Sequence, residues 1–259
     1  MDDPIYVTRD GPIATVVLNR PEKLNAISVA MSRRLQEVME ACDRDDDLRC
    51  VVLRGTGGRA FSVGADISEF EATRSSAAKA REYARVSYRA FHSVRACRHP
   101  VVAMIQGLCV GGGFGLAALC DLKVCGESSR FGVPIKRLGL VESHQELEAI
   151  VRAIGAGPTL EILLTGDLLD AQAAVRIGFV NRVVPDDRVE VETHAVAGKI
   201  AEGAPLAARW HKQFVYDLAA GRPLSDEERD VAYQCFDTED FQIGYRAFLA
   251  KTTPRFVGR

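Results

Sequence analysis

Residues 107–121 read G-L-C-V-G-G-G-F-G-L-A-A-L-C-D, and this stretch decides how the rest of the chain is interpreted. Four glycines (Gly111, Gly112, Gly113 and Gly115) follow the apolar run Val101-Val102-Ala103-Met104-Ile105 and precede Leu116-Ala117-Ala118-Leu119. The pattern predicts a buried strand, a glycine-lined turn and the first turns of a buried helix. Without side chains in the way, a ligand can approach the main-chain N–H groups of such a turn. The start of a helix adds unpaired donors and the positive end of its dipole. The stretch is therefore a candidate site for negative charge on a ligand.

Working outward, the same arrangement occurs upstream. Cys50-Val51-Val52-Leu53-Arg54 reads as a buried strand ending at Gly55, followed by a second glycine-rich loop, T-G-G-R-A-F-S-V-G-A-D-I-S-E-F, over residues 56–70. Two loops of this kind are expected to leave the same end of one sheet. Ahead of them, Ile5-Tyr6-Val7 and residues 13–18 form a hairpin around Asp10-Gly11-Pro12. Ser28 is a suitable N-cap for a helix that presents Met31, Leu35, Val38, Met39 and Cys42 on one face. Residues 75–98 form a long amphipathic helix with Tyr83, Ser87, Ala90, Phe91 and Val94 in a stripe, ended by His99-Pro100. Short strands are expected at 122–125, 129–132 and 179–184, a loop at 134–142, and helices at 145–154, 158–164 and 171–177. From about Val189 every segment reads as helical, which divides the chain into a mixed α/β core, 1–195, and a helical region, 196–259.

The composition sets limits. Of 259 residues, 47% are hydrophobic and 26% charged, the balance of a globular protein. A net charge of −2 argues against a nucleic-acid binder or a basic membrane-surface protein. The N-terminal residues show no signal-peptide pattern, and no apolar run reaches membrane-spanning length. Seven cysteines without a C-x-x-C pair fit reduced, buried thiols in a cytoplasmic protein and argue against a zinc site.

Several segments together carry a resemblance. They are L-N-R-P-E-K-L-N-A-I-S (18–28), A-F-S-V-G-A-D-I-S-E-F (60–70), the 107–121 stretch and L-T-G-D-L-L-D-A-Q-A-A (164–174). G-F-V-N-R-V-V-P (178–185) and A-F-L-A-K-T-T-P-R-F (247–256) complete the set. In this order and spacing the chain resembles the crotonase superfamily, the enoyl-CoA hydratase/isomerase family. The resemblance implies an α/β fold of the ClpP/crotonase type, a spiral of ββα turns with a C-terminal α-helical trimerisation region. It also implies a homotrimer or dimer of trimers and an acyl-CoA substrate, with no cofactor beyond the coenzyme A of that substrate.

In this family two backbone N–H groups form an oxyanion hole for the thioester carbonyl. By resemblance they belong here to Ala65 and Gly112. Preorganised donors at such an oxygen are worth about 3–4 kcal/mol each in comparable acyl-transfer sites. By the same resemblance Ala60, Asp66, Ile67 and Ile135 are candidate substrate-binding residues, with Ala65 and Gly112 themselves, and Asp66 is also suited to cap or brace its loop. Lys23, Arg59 and Arg130 are candidates for the CoA phosphates, against the ordinary reading of surface charges. Phe248 and Lys251 mark where a neighbouring subunit would reach CoA.

The proton-transfer groups are a departure. Family hydratases use two glutamates, and this chain has Gly115 and Ile135 at those places. Neither can move a proton. The segment G-L-V-E-S-H-Q-E-L-E (139–148) offers Glu142, and secondarily His144, as a substitute. The competing reading is the solvated start of a helix capped by Ser143. Two functions from other classes remain in view. One is a non-catalytic acyl-CoA binder, suggested by Gly115 and Ile135. The other is an NAD-dependent oxidoreductase, suggested by the G-x-G-x-x-A spacing of Gly113 to Ala118 after a strand.

Overall fold

The computed structural model describes residues 3–259. Its organising feature is a unit repeated three times, in which a long strand leads to a short strand and then to helix. β3 (Cys50–Gly55) leads to β4 (Ala60–Ser62), β5 (Val101–Ile105) to β6 (Leu108–Val110), and β7 (Leu122–Gly126) to β8 (Arg130–Gly132). The long strands enter one sheet and the short strands another, so each repeat advances the chain by one turn of a spiral. With the hairpin β1 (Ile5–Asp10) and β2 (Ile13–Leu18), and with β10 (Arg182–Val184), the larger sheet has the order β1-β2-β3-β5-β7-β10. Apart from the antiparallel hairpin its pairs are parallel. The smaller sheet runs β4-β6-β8-β9, with β9 (Leu169–Asp170) antiparallel to β8.

The strands β3, β5 and β7 are almost wholly buried. That explains their continuous apolar runs, because a parallel sheet covered on both faces has no solvent side to alternate with. One face meets α1 (Val29–Arg44), the inner stripe of α3 (Ala77–Ala96) and α4 (Gly112–Ala118) in the main core; the short helix α2 (Phe70–Arg74) precedes α3. The α1 face is the expected one. Met31, Leu35, Val38, Met39 and Cys42 are buried, and the Ser28 hydroxyl accepts from the Met31 N–H at 3.1 Å.

α5 (His144–Ile154), α6 (Ala156–Thr165) and α7 (Ala171–Arg176) close the spiral. α8 (Val189–Ala201) covers the opposite face of the larger sheet, packing Val189, Val196 and Ala197 against Cys50, Val52, Val102, Met104 and Val124. The helix crosses position 195, so the all-helical end of the chain begins inside the packed core. α9 (Pro205–Ala219), α10 (Asp226–Asp230) and α11 (Glu239–Ala250) follow.

The short strands explain one difference from the sequence reading. The 107–121 stretch contains strand β6 between Ile105 and the glycines, where a direct strand-to-turn passage is expected. The strands β4, β6 and β8 span three residues each, too few to show a period of two. The 179–184 strand is also shorter, because Phe179 and Val180 are core residues preceding β10.

Candidate active site

The two glycine-rich loops meet at the start of α4. A Cβ placed on Gly64 would lie 2.6 Å from the Gly112 nitrogen, and Gly64 has φ of +88°, so both space and backbone require glycine there. On the other side of the junction, a Cβ on Gly113 would strike the Ser62 carbonyl oxygen. Contact between the loops therefore depends on these two missing side chains.

The Ala65 loop is tied down on both sides. Ile27 donates to the Gly64 carbonyl at 2.7 Å, and the Asp66 N–H donates to Ile27 at 3.0 Å. Between these bonds, the Ala65 N–H finds no acceptor among the described residues. Gly112 is the first residue of α4, so its N–H has no acceptor within the helix either. A Cβ on Gly112 would sit 3.6 Å from the Ala65 nitrogen, which places the two amides side by side.

Polar residues of the 18–28 and 60–70 segments brace this arrangement. Asn25, wholly buried, donates to the carbonyls of Thr56 (3.0 Å) and Ala60 (2.8 Å), and its own oxygen accepts from the Arg20 N–H at 3.0 Å. The Ser62 hydroxyl donates to the Asn25 carbonyl at 2.8 Å and accepts from the Gly64 N–H at 3.1 Å. Asp66 takes a structural role. It accepts from Ser68 and pairs with Arg20 at 2.9 Å, and these bonds, that of Ser68 foremost, hold its carboxyl below the ordinary range.

Both free amides open into a cavity of about 620 Å³. Of the sequence candidates, Ala65, Ile67, Gly112, Ile135 and Glu142 line it together, as does Gly115. Ala60 is buried in β4, and Asp66 is held by Arg20 and Ser68. Lys23, Arg59 and Arg130 are exposed away from its lining, as are Phe248, 83% accessible, and Lys251 at the end of α11. The stripe of α3 proves to be divided. Ala90 and Val94 enter the core, whereas Tyr83, Ser87 and Phe91 form cavity wall.

Glu142 is half-buried on the wall, directly before α5. Burial, then the negative charge of Glu146 and a hydrogen bond with it, push its carboxyl up to about 7, while Arg74 opposes the shift. Glu146 is itself fixed. Its carboxylate accepts from the Ser143 N–H at 2.8 Å, and its own N–H donates to the Ser143 hydroxyl at 3.3 Å, a capping box. Ser143 therefore is the helix cap, and Glu142 still faces the cavity, so the two readings of this segment are compatible. His144 is exposed on the first turn of α5 and does not line the cavity.

The Gly115 position is open. A Cβ there would meet nothing within 4 Å, so the cavity has room for the side chain this helix lacks. The G-x-G-x-x-A spacing lies inside α4 itself and not in a loop ahead of a helix, so it forms no dinucleotide turn. Among the described residues no group of three or more His, Cys, Asp or Glu side chains is placed to hold a metal ion.

Comparison with known proteins identifies the family. The family model for enoyl-CoA hydratase/isomerase matches residues 8–259. A probable enoyl-CoA hydratase of Mycobacterium bovis is 32% identical over 98% of both chains. A crotonyl-CoA hydratase of Syntrophomonas wolfei is 29% identical over the same share of each. Among solved structures, an enoyl-CoA hydratase/carnithine racemase from Magnetospirillum magneticum superposes with a TM-score of 0.98 at 45% identity, covering 100% of this chain and 97% of its own. With the match running nearly end to end and the spiral of strand pairs in place, the chain belongs to the enoyl-CoA hydratase/isomerase family of the crotonase superfamily.

Proposed function

We propose that the protein is an acyl-CoA enzyme that stabilises a thioester enolate between the N–H groups of Ala65 and Gly112, with Glu142 moving the proton. The reading is supported by one juxtaposition: two unpaired amides and a carboxyl of near-neutral pKa on the wall of the same cavity. When the Glu142 carboxylate takes a proton from the α-carbon, the C–H electron pair shifts into the Cα–C bond and the carbonyl π pair moves onto oxygen. The amides meet the charge there, aided by the N-terminal end of α4. Protonated Glu142 can then return the proton to the same carbon or to another carbon of the allylic system. A group with pKa near 7 is suited to both halves of this exchange.

Water addition by two glutamates does not fit this wall. Gly115 supplies no carboxylate, and Ile135 presents an apolar side chain. Enolate chemistry handled by one carboxyl, such as isomerisation or α-proton exchange, fits the site better than hydration. The same two positions support the second reading, a binder of acyl-CoA without turnover. The exposed apolar residues of the C-terminal helices support assembly as a homotrimer or dimer of trimers. Lys23, Arg59, Arg130, Phe248 and Lys251 then remain candidates for contact with CoA across or beside that assembly.

Incubation of saturated and unsaturated acyl-CoA thioesters in heavy water, followed by mass, tests the proposal. Deuterium uptake at the α-carbon that falls by about a hundredfold or more in Glu142→Gln is the expected result. Uptake unaffected by that change removes Glu142 from the scheme, and binding without uptake on any thioester favours the binder.

A further inference from the structure

The cavity does not end at the oxyanion amides. It continues along α4, past Gly115, Ala118 and Leu119, to a group of charged side chains beneath α9. Since α4 has seven residues at about 1.5 Å each, the far end lies about 10 Å from the amides. The intervening wall is apolar, with Ile150 and Ala153 of α5 facing the α4 residues.

The charges at the far end do not balance. Asp121 is fully engaged. It accepts from the Tyr216 hydroxyl at 2.5 Å, from the Val101 N–H at 2.6 Å and from Lys212, also its ion-pair partner, at 2.9 Å. Arg152 pairs with Glu148 at 2.6 Å. Two further cations line this end of the cavity, and among the described residues neither has a carboxylate within ion-pair distance. Arg95 lies over the ring of Tyr216. Lys123, 6% exposed, gives its ammonium one acceptor, the Cys120 carbonyl at 2.9 Å. Lys123 is buried and Arg95 half-buried, and although the Asp121 charge lies within reach of both, its oxygens are taken by other partners. Burial disfavours cations that have no ion-pair partner, Lys123 above all, and the cost is recovered when an anion arrives in the same place. A fatty chain would leave both charges unsatisfied.

We infer that the acyl group of the substrate ends in a carboxylate, held by Arg95 and Lys123 while the thioester oxygen occupies the amides of Ala65 and Gly112. This rests on the acyl-CoA reading above and narrows it to α,ω-dicarboxylic acyl chains with several methylenes between their ends. The planar guanidinium, steadied on Tyr216, can meet both oxygens of a carboxylate, and Lys123, at the start of β7 and within reach of the Arg95 charge, adds a point charge.

Calorimetric titration of the protein with dicarboxylic acyl-CoA thioesters from adipyl to sebacyl, each against the monocarboxylic thioester of equal carbon number, tests the inference. At least one dicarboxylic member should bind about tenfold tighter than its counterpart, the value of one charged hydrogen-bonding partner. In Arg95→Met that ratio should collapse towards one, whereas Arg95→Lys should keep part of it. Because loss of the Tyr216 contact could impair folding, Lys123→Met provides a second measurement, and thermal melts identify folded variants. Equal binding of the paired thioesters overturns the inference and leaves the acyl-CoA reading standing, as does a preference that survives both substitutions. If no thioester of either series binds, the acyl-CoA reading itself fails and the inference falls with it.

Discussion

At the scale of single residues, the site depends on side chains that are absent as much as on those present. Gly113 allows Ser62 and the Ala65 loop to close on α4, and a Cβ there would collide with main chain, which cannot move aside cheaply. Gly113→Ala should therefore destabilise the fold by about 3 kcal/mol, the upper part of the range for overpacking, and suppress α-proton exchange in whatever folds; chemical denaturation and the heavy-water assay measure the two effects. Glu142 poses the opposite problem of a charge that is discouraged. Its carboxyl is held at about 7 by burial and by the neighbouring Glu146 charge. The base form is thus scarce below pH 7, and exchange should rise as pH increases through that value. Glu146→Gln removes the negative neighbour while an amide can still complete the capping box with Ser143. With less repulsion the Glu142 pKa falls, the base form persists to lower pH, and the rising limb of the pH–rate profile should shift to the acid side, with several-fold faster exchange near pH 6. A profile unmoved by this change would show that Glu146 does not set the proton affinity of Glu142. The same shift has a stability consequence of fixed sign. An acid whose pKa is raised in the folded state favours unfolding increasingly as pH rises from the ordinary carboxylate range towards 7.

Among the elements, legibility followed length and periodicity. The long strands β3, β5 and β7, strand β2 and α1 with its Ser28 cap could be read directly, because each carries an uninterrupted or periodic apolar signal, whereas β1, buried only at Ile5, runs on to Asp10, which the sequence assigns to the turn. Strand β6 could not, since three residues between Gly107 and the glycine cluster carry no period. The Ala65 and Gly112 loops are identifiable as partners by resemblance, but the Ala65 loop is held by Ile27 and braced behind by Asn25, whose contacts lie 31 and 35 residues away in the chain. No local pattern announces such a brace. The stripe of α3 shows another limit, since hydrophobicity alone does not separate Val94, against the core, from Phe91, against a cavity. Helix α4 can also be tested as an element. Gly115 is a helical residue with open space beside it, so Gly115→Glu should be tolerated and could gain about 1 kcal/mol from helix propensity. It would also place a second carboxylate on the wall that holds Glu142. If absence of that group is what keeps the site from adding water, hydration of crotonyl-CoA should rise by about a hundredfold, read as loss of enoyl absorbance. A stable Gly115→Glu protein with no gain would point to Ile135 as the remaining barrier.

For the molecule as a whole, the spiral accounts for the core but leaves the C-terminal helices incompletely covered. Phe248 is 83% accessible and Leu249 73%, side by side near the end of α11, and Leu218 on α9 and Tyr233 beyond α10 are also mostly exposed. Apolar side chains of this size in one region favour burial against another surface, with about 1.5–3 kcal/mol available for each one covered. Under the proposed assembly, a second and third copy of the chain supply that surface. Sedimentation should accordingly give a trimer or hexamer at micromolar concentration. Phe248→Asp combined with Leu249→Ser should shift it towards monomer, because a buried carboxylate at the interface adds a desolvation penalty to the lost apolar contact. The same variant separates two roles for this end of the chain. If Phe248 and Lys251 of one copy reach CoA bound to the next, monomerisation should weaken thioester binding, although Ala65, Gly112 and Glu142 all lie on one chain. If the variant becomes monomeric and binds acyl-CoA as tightly as the parent, each cavity is complete by itself and assembly serves stability alone.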